Sequence, residues 1–395
     1  MLDWTIWQQG PVATTMLGDL GAEVIKIEER EQGDPGRWIA STGGGSTVSR
    51  GRNYYFEANN RHKKSIALNL KTAEGQRIVH RLAAISDVFV QNFRQGVAAR
   101  LGIDYAALSK VNPKIIYANA SGYGPKGPDS ATPAFDYMGQ ARSGLMRIIG
   151  GPESPPMYVF GGIADQMGAI VLAYGVMTAL LARERYGMGQ EIDVSHLGSM
   201  IALEGLNVSS RTISGREMMR RAREEAYNPL WNHYQCAGGK WICLGMLQPD
   251  RYWKPLCAAL GAPELAGDPR FGDMSSRGKN CRELIAIFDR IFAGRTLEEW
   301  MEALRRGGDF IFSFVNSISD LPDDPQVVAN EYIVDYDHPV LGPTKLVGLP
   351  VKFSRTPGNP RGHAPEFGEH TEAILTELLE YSWDEVAGLR AAKVI

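Results

Sequence analysis

The amino-acid sequence predicts an α/β fold, a mostly parallel sheet covered by helices, with a smaller α+β domain attached. Three observations carry this. The 395 residues exceed what one compact core holds, domains of about 100–200 residues being the norm. The first half alternates short apolar runs with helical stripes, and near Arg211 the texture changes. With 44% apolar and 22% charged residues the chain is an ordinary globular composition, which disfavours disorder.

The elements follow in order. Leu2–Trp7 reads as a strand, and a Gln8-Gln9-Gly10-Pro11 turn follows. Val12, Ala13, Met16, Leu17 and Leu20 keep helical spacing, with Pro11 suited to a first helical position. Ala22–Ile27 and Ser65–Leu70 are strands, the latter placing Ile66, Leu68 and Leu70 on one face. A helix with Ile78, Val79 and Leu82 leads to strands at Asp87–Val90 and Lys114–Ala118. The uncharged run Met167–Ala182 is shorter than the ~18 residues of a spanning helix and is expected as a buried core helix. Residues 1–210 form the first part of the large domain, and the charged stretch 211–227 is a linker. A small domain over 228–330 opens with a hairpin, Trp231–Cys236 and Lys240–Gly245. Helices follow at about 250–260, 281–293 and 297–306, the last with a capping box from Thr296 to Glu299. The return segment 331–395 completes the large domain with helices near 371–380 and 383–391.

Composition excludes several classes. A net charge of −3 gives no global field for nucleic acid or an anionic membrane, so a polyanion must be held by a local cluster. Four cysteines in one late stretch match neither a zinc pattern nor a disulfide scaffold, and a reduced cytoplasmic location is expected. Asp3 interrupts the apolar start, so no secretory signal is read. There is no HExxH, GxSxG or Walker loop. Gly10, Gly18 and Gly21 are wrongly spaced for a dinucleotide fingerprint, which disfavours a nicotinamide dehydrogenase.

Three features bear on chemistry. Asp165 follows the small-residue run Gly161-Gly162-Ile163-Ala164 and precedes the uncharged helix. There it is either an N-cap or a carboxylate kept ionised by the helix amides and able to act as a nucleophile; the two are compatible. Arg61, Lys63, Lys64 and Lys71 bracket the third strand, and Asn92, Arg94 and Arg100 follow the fourth. Placed around strand ends, such residues suit a nucleotide with several phosphates, or they form a solvated surface. Gly122-Tyr123-Gly124-Pro125-Lys126-Gly127-Pro128 is a glycine-rich loop after the fifth strand.

In their order, these pieces resemble the class III coenzyme A transferases, the family that includes formyl-CoA transferase, carnitine CoA-transferase and α-methylacyl-CoA racemase. The resemblance runs from Leu2 nearly to the C-terminus. It rests on Gly18–Glu28 with Gly33-Asp34-Pro35, Asn60–Lys71, Asn92-Phe93 with Arg100-Leu101-Gly102, the glycine-rich loop, and Phe135-Asp136 with Gln140-Ala141 and Ser143-Gly144. Gly187–Val194 and Gly368-Glu369-His370-Thr371 continue it.

The resemblance implies a Rossmann-like large domain, an interlocked homodimer or a hetero-oligomer with a homologue, and coenzyme A or acyl-CoA as substrate with no metal. The partners implied are an acyl-CoA and a carboxylic acid, with no nucleic acid and no membrane. It places Asp165 on the catalytic aspartate and Gln8 on an active-site glutamine near the acyl group. Leu68, Lys71, Asn92 and Arg100 fall on coenzyme A contacts, and Arg30, one place on from the usual arginine, falls near an adenine contact. Backbone amides near Gln8 and Gln9, or of Gly161-Gly162, are candidate oxyanion donors.

Three departures matter. Phe135 stands where the racemase branch has a histidine, removing the expected partner for two-base proton abstraction. Ala226–Trp231 replaces a glycine-run loop, which does not support small oxalate-like acceptors. The chain begins inside what reads as its first strand, so a native N-terminal segment of several residues is expected before it. Trp4, Trp7, Trp38, Tyr54, Tyr55 and Tyr137 lie in site regions or in core. An aromatic or branched dicarboxylate is the favoured acceptor, with a carnitine-type acid next. The alternatives are an acyl-CoA racemase or isomerase and a non-catalytic subunit.

Overall fold

The computed structural model describes residues 1–42 and 45–395. The chain divides into two compact units, one of Met1–Arg147, Met157–Glu217 and Pro325–Ile395 and one of Ile148–Pro156 and Met218–Asp324. The segment Ile148–Pro156, left in the large domain by the sequence, thus belongs to the smaller unit.

In the larger unit six strands form one sheet: β1 (Leu2–Trp4), β2 (Ile25–Glu29), β3 (Lys64–Leu68), β4 (Val88–Gln91), β5 (Ile116–Ser121) and β6 (Gln190–Ser195). They run parallel in the order β6-β5-β4-β1-β2-β3. The chain moves outward from β1 through β2 and β3, then returns to the other side of β1 for β4, β5 and β6. The strand order therefore reverses between β1 and β4, and the crevice beyond their carboxyl ends is where open α/β sheets bind ligands. Strand β6 has no counterpart in the sequence expectations, because Gln190-Glu191-Ile192-Asp193 is a polar edge strand with only Val194 buried.

The helices that matter here are α1 (Gln9–Asp19), α2 (Tyr54–Asn60), α3 (Ala73–Ala84), α4 (Tyr105–Val111), α5 (Asp136–Ser143), α6 (Ile163–Tyr186) and α7 (His196–Leu203). Pro11 is the third residue of α1, not the first. Lacking an N–H costs little there, since first-turn amides have no partner within the helix. Side chains alternate across the sheet. Leu2, Ile25, Ile66, Phe89 and Tyr117 pack with α3 and the C-terminal segment on one face. Val88, Val90, Ile116 and Ala118 pack with α1 and α6 on the other.

Contrary to the expectation of a buried core helix, α6 buries only one face, through Ala164, Gly168, Ala169, Leu172, Val176 and Ala179. Ile170, Tyr174, Met177 and Leu181 form an exposed apolar stripe on its other side. By length and hydropathy alone it also passes for a membrane span.

On the second face of β1, β2 and β3 the strands bury charge instead of hydrocarbon. Asp3, Lys26, Glu28 and Ser65 are at most 2% exposed. The Asp3 carboxylate accepts from Lys63 Nζ (2.8 Å) and Thr14 Oγ1 (2.8 Å). Lys26 Nζ meets Asp34 Oδ2 at 2.8 Å and donates to the Thr5 carbonyl at 2.9 Å. Burial works to raise the Asp3 pKa, but the charges of Lys63 and Lys26, with hydrogen bonds from Lys63 and Thr5, outweigh it and hold the carboxyl at about 2. Burial also lowers Lys63, to about 8, against the pull of Asp3.

The smaller unit has an antiparallel sheet of β7 (Trp231–Gln235), β8 (Trp241–Gly245) and β9 (Phe312–Phe314). Helices α8 (Pro249–Ala259), α9 (Cys281–Phe292) and α10 (Leu297–Gly307) pack around Tyr234, Phe288, Phe292 and Trp300. The capping box of α10 is formed by Thr296 and Glu299. All four cysteines are free thiols, and burial pushes Cys257 up to about 12, which leaves it inert.

Two outcomes follow for stability. Asp3→Ala leaves Lys63 and Lys26 without their shared anion, and a loss of about 3–5 kcal/mol is expected in urea unfolding. Because the folded Asp3 pKa lies below its ordinary 3.8, its contribution is fully present above that pH and is lost as pH falls towards 2. Acid unfolding of the wild type should therefore steepen between pH 4 and 2, by roughly 2 kcal/mol from this group. An Asp3→Asn chain that keeps the full acid limb would exclude Asp3 as its source.

Candidate functional site

A cavity of about 1360 Å³ opens at the carboxyl ends of β1, β4 and β5. Its walls come from the segments that leave those strands: Ile6–Gln9 after β1, Asn92–Ala99 after β4, and Ser121–Gly122 after β5. Asn92 joins the first two. Its Oδ1 accepts from the Ile6 N–H (2.9 Å) and its Nδ2 donates to the Ile6 carbonyl (2.7 Å), pinning the β1 exit to the β4 exit across the switch point.

The β1 exit is held from below by the buried charges. Thr5 and Lys26 bond through the Thr5 carbonyl, and Asp34 Oδ1 accepts the Trp7 N–H at 3.1 Å. Trp7 adopts φ +66, a left-handed conformation that costs a tryptophan ~1–3 kcal/mol and persists only where surroundings impose it. The turn aims Gln8 and the Trp7 ring into the cavity. Gln8 Nε2 donates to the Gly161 carbonyl at 3.1 Å. Gly162 precedes α6 at φ +74, a left-handed conformation that favours glycine, and a Cβ there would lie 2.6 Å from Gln8 Nε2 and push that side chain aside.

Asp165 is the third residue of α6 and not its cap. The capping is done from a distance: Asp136 Oδ1, at the start of α5, accepts the N–H groups of Ala164 (2.6 Å) and Asp165 (3.3 Å). Asp136 Oδ2 accepts from Gln140 Nε2 at 2.7 Å, and Gln140 also exchanges hydrogen bonds with the Val159 main chain. One buried glutamine thereby ties the loop 158–160 to the start of α6. The Asp165 side chain, 15% exposed, faces the cavity, and its Oδ1 lies 2.8 Å from Nε2 of the buried His196. Burial, with the carboxylates of Asp165, Asp34 and Asp136 nearby, pushes the Tyr55 phenol above its ordinary value and keeps it a donor.

Aromatic rings line this part of the cavity. Trp7 and Phe135 meet edge to face at 5.8 Å, and Tyr158 contacts both Tyr137 (5.2 Å) and Phe160 (4.7 Å). Of the aromatics singled out in the sequence, Trp7, Tyr54, Tyr55 and Tyr137 line the cavity, whereas Trp4 is core and Trp38 is exposed elsewhere. Among the described lining residues the one lysine or arginine is Arg94, which follows β4.

The residues expected to contact coenzyme A lie at or after the carboxyl ends of β2, β3 and β4. Asn92 lines the cavity. Lys71 and Arg100 are exposed, Arg100 closing a single helical turn whose Val97, Ala98 and Ala99 reach the cavity. Leu68 is fully buried in the core and does not line the cavity. Arg30 donates from Nε to the Ile395 carbonyl at 2.8 Å.

The basic cluster needs correction. Arg61, Lys63 and Lys64 stand before or at the amino end of β3, away from the carboxyl ends. They are spent on Asp19, Asp3 and Glu23 respectively. Of the seven residues in that group, Lys71, Asn92, Arg94 and Arg100 remain on the ligand side. His196 and Asp136 were not singled out in the sequence for chemistry. His196 carries no recognisable spacing to Asp165, being 31 residues away and brought close only by β6 lying beside β5.

Comparison with known proteins gives this geometry a family. Residues 1–371 match the pattern of CoA-transferase family III. The chain is 32% identical over 390 residues to succinyl-CoA–D-citramalate CoA-transferase of Chloroflexus aurantiacus, covering 98% of this chain and 94% of that protein. It is 33% identical over 397 residues to mouse succinyl-CoA:glutarate CoA-transferase, covering 100% and 89%. The crystal structure of a CAIB/BAIF family protein from Brucella suis superposes with a TM-score of 0.84 at 28% identity, covering 95% of this chain and 97% of that one. A parallel sheet with its cavity at the switch point, read with these matches, makes the chain a class III CoA-transferase, a member of CoA-transferase family III.

Proposed function

We propose that the protein moves coenzyme A from an acyl-CoA to a free carboxylic acid, with Asp165 as the covalent nucleophile. The observation that carries this is a carboxylate held at the cavity wall with one oxygen bound by His196, in a site built on the switch point. In the first step the free oxygen of Asp165 attacks the thioester carbonyl carbon; the C–S bond breaks, CoA thiolate leaves, and a mixed anhydride forms. The thiolate then attacks the Asp165 carbonyl carbon and expels the donor acid, leaving an aspartyl-CoA thioester. The acceptor carboxylate attacks that carbon in turn and releases the thiolate, which attacks the acceptor acyl carbon and frees Asp165. Tethered intermediates replace one direct carboxylate–thioester exchange.

Gln8, beside Gly161, is placed to contact the acyl group. The amides of Ala164 and Asp165 are taken by Asp136, so the backbone oxyanion donors are those near Gln8 and Gln9 or the Gly161-Gly162 turn. Asn92, Lys71, Arg100 and Arg30 are assigned to coenzyme A, whereas the fully buried Leu68 is not. The rings of Trp7, Phe135, Tyr137, Tyr158 and Phe160 suit an acceptor with an aromatic or branched body. A second carboxylate, as in the dicarboxylate expectation, has Arg94 as its cationic partner among the described lining residues. The exposed stripe Ile170, Tyr174, Met177 and Leu181 supports self-association or pairing with a homologous chain, because a contiguous apolar face of this kind marks protein contacts. The free thiols are in keeping with a reduced cytoplasmic location.

A racemase needs two bases on opposite faces of the α-carbon. Phe135 supplies none, and His196 is bonded to Asp165 itself, so the two act as one unit.

Incubation with acyl-CoAs and hydroxylamine should place a hydroxamate on the peptide containing Asp165, read by mass spectrometry. Asp165→Ala is expected to lower transferase turnover by at least ~10³-fold; near wild-type turnover would rule out the covalent route. In deuterated solvent without acceptor acid, no label should enter the acyl α-carbon, and its appearance would favour the racemase instead.

A further inference from the structure

His196 is the one imidazole that touches Asp165, and it sits under tight constraint. It is the first residue of α7, capped by Ser195, and is 5% exposed. A Cβ on Gly139 of α5 would lie 2.9 Å from the His196 Cβ and 2.9 Å from the Ala164 Cβ, so α5, α6 and α7 approach closely at the base of the His196 side chain. Its Nε2 faces Asp165 Oδ1 at 2.8 Å, while Nδ1 is buried without a hydrogen-bond partner. A buried N–H lacking an acceptor is costly, so the arrangement favours the tautomer with its proton on Nε2. That proton is donated to Asp165 Oδ1.

We infer that His196 is a catalytic hydrogen-bond donor that directs the CoA thiolate to the aspartyl carbonyl of the mixed anhydride. This rests on the covalent route through Asp165 proposed above. The anhydride has two carbonyl carbons. Attack on the donor's carbon regenerates acyl-CoA and wastes the step; attack on Asp165 Cγ forms the S–Cγ bond, breaks the bond from Cγ to the bridging oxygen and expels the donor carboxylate. When the other oxygen of Asp165 forms the anhydride, Oδ1 becomes the aspartyl carbonyl oxygen. It already has the Nε2–H aimed at it, so negative charge developing on Oδ1 in the tetrahedral intermediate is stabilised without reorganisation. The proton stays on Nε2 throughout. Before acylation the same bond orders the carboxylate and leaves its other oxygen to attack.

The test compares two variants and the wild type. Glutamine can place an amide N–H near the position of Nε2, whereas asparagine is too short. In single-turnover reactions with acyl-CoA alone, the aspartyl-CoA adduct on the Asp165 peptide is followed by mass spectrometry, alongside steady-state kcat and KM. His196→Asn is expected to lower adduct formation and kcat by ~10²–10³-fold, the usual effect of losing one oxyanion donor, with KM for acyl-CoA within about threefold. His196→Gln should recover adduct formation to within about tenfold of wild type. Adduct formation in His196→Asn at the wild-type rate, or equal loss in both variants with native circular dichroism, overturns the inference. In wild-type protein with ¹⁵N-labelled histidine, the His196 ring must show its proton on Nε2; a bare Nε2 overturns the inference even if neither variant folds. Absence of any Asp165 adduct in the wild type would instead defeat the covalent route itself.

Discussion

The geometry of the cavity depends on a set of charges buried where a sheet normally buries hydrocarbon. Asp3, Lys63, Lys26 and Asp34 lie under the β1 exit, and their partners include main-chain atoms of that exit, the Thr5 carbonyl and the Trp7 N–H. Removing ions from water is expensive, and a buried ion pair is seldom a gain in stability over a well-packed apolar cluster. What it offers is direction. An apolar core under this loop would fill space equally well but would leave the Trp7 N–H and Thr5 carbonyl without defined partners. A left-handed Trp7 would then have nothing to hold it. The cost of burial is offset by fixing the loop that presents Gln8, and Asn92 completes the restraint from the β4 side.

Much of the fold could be read from residue patterns, since strands buried on both faces leave short apolar runs and core helices leave apolar stripes. Five of the six strands and the helices around 249–259, 281–292 and 297–307 fall within a few residues of their expected places. What could not be read follows from context. Strand β6 is an edge strand whose outward residues are polar, so its pattern resembles a loop. The α6 sequence is apolar all round, and composition alone does not distinguish a helix buried on every side from one with a face left open. Lysine and arginine near a strand look alike whether they precede or follow it. Arg61, Lys63 and Lys64 were grouped with phosphate-binding candidates although chain direction puts them at the opposite end of β3.

The candidate site was legible through Asp165 and Gln8, whose flanking glycines and position in the resembling series stand out. Asp136 was noticed only as part of that series, and His196 not for chemistry at all. Each acts on Asp165 from a different helix, 29 and 31 residues away, and such contacts are set by strand order and not by spacing. A residue's burial is equally invisible: Leu68, a candidate ligand contact, is enclosed in the core.

These features bear on how an aspartate at a helix start would serve as the proposed nucleophile. The first turn of α6 presents unpaired N–H groups and the positive end of a dipole, and a carboxylate that accepts several such bonds is strongly stabilised as an anion. An anion so stabilised is a poor attacking group, because those bonds must weaken as charge leaves it. In this protein the amides of Ala164 and Asp165 bond to Asp136 instead. Capping is thereby separated from chemistry: Asp136 satisfies the helix, while Asp165 receives its 2.8 Å contact from His196 on Oδ1. Under the covalent route this division leaves the other oxygen available for attack. It would also keep the helix start ordered with Asp165 acylated and its charge gone, because the carboxylate that caps the helix is that of Asp136.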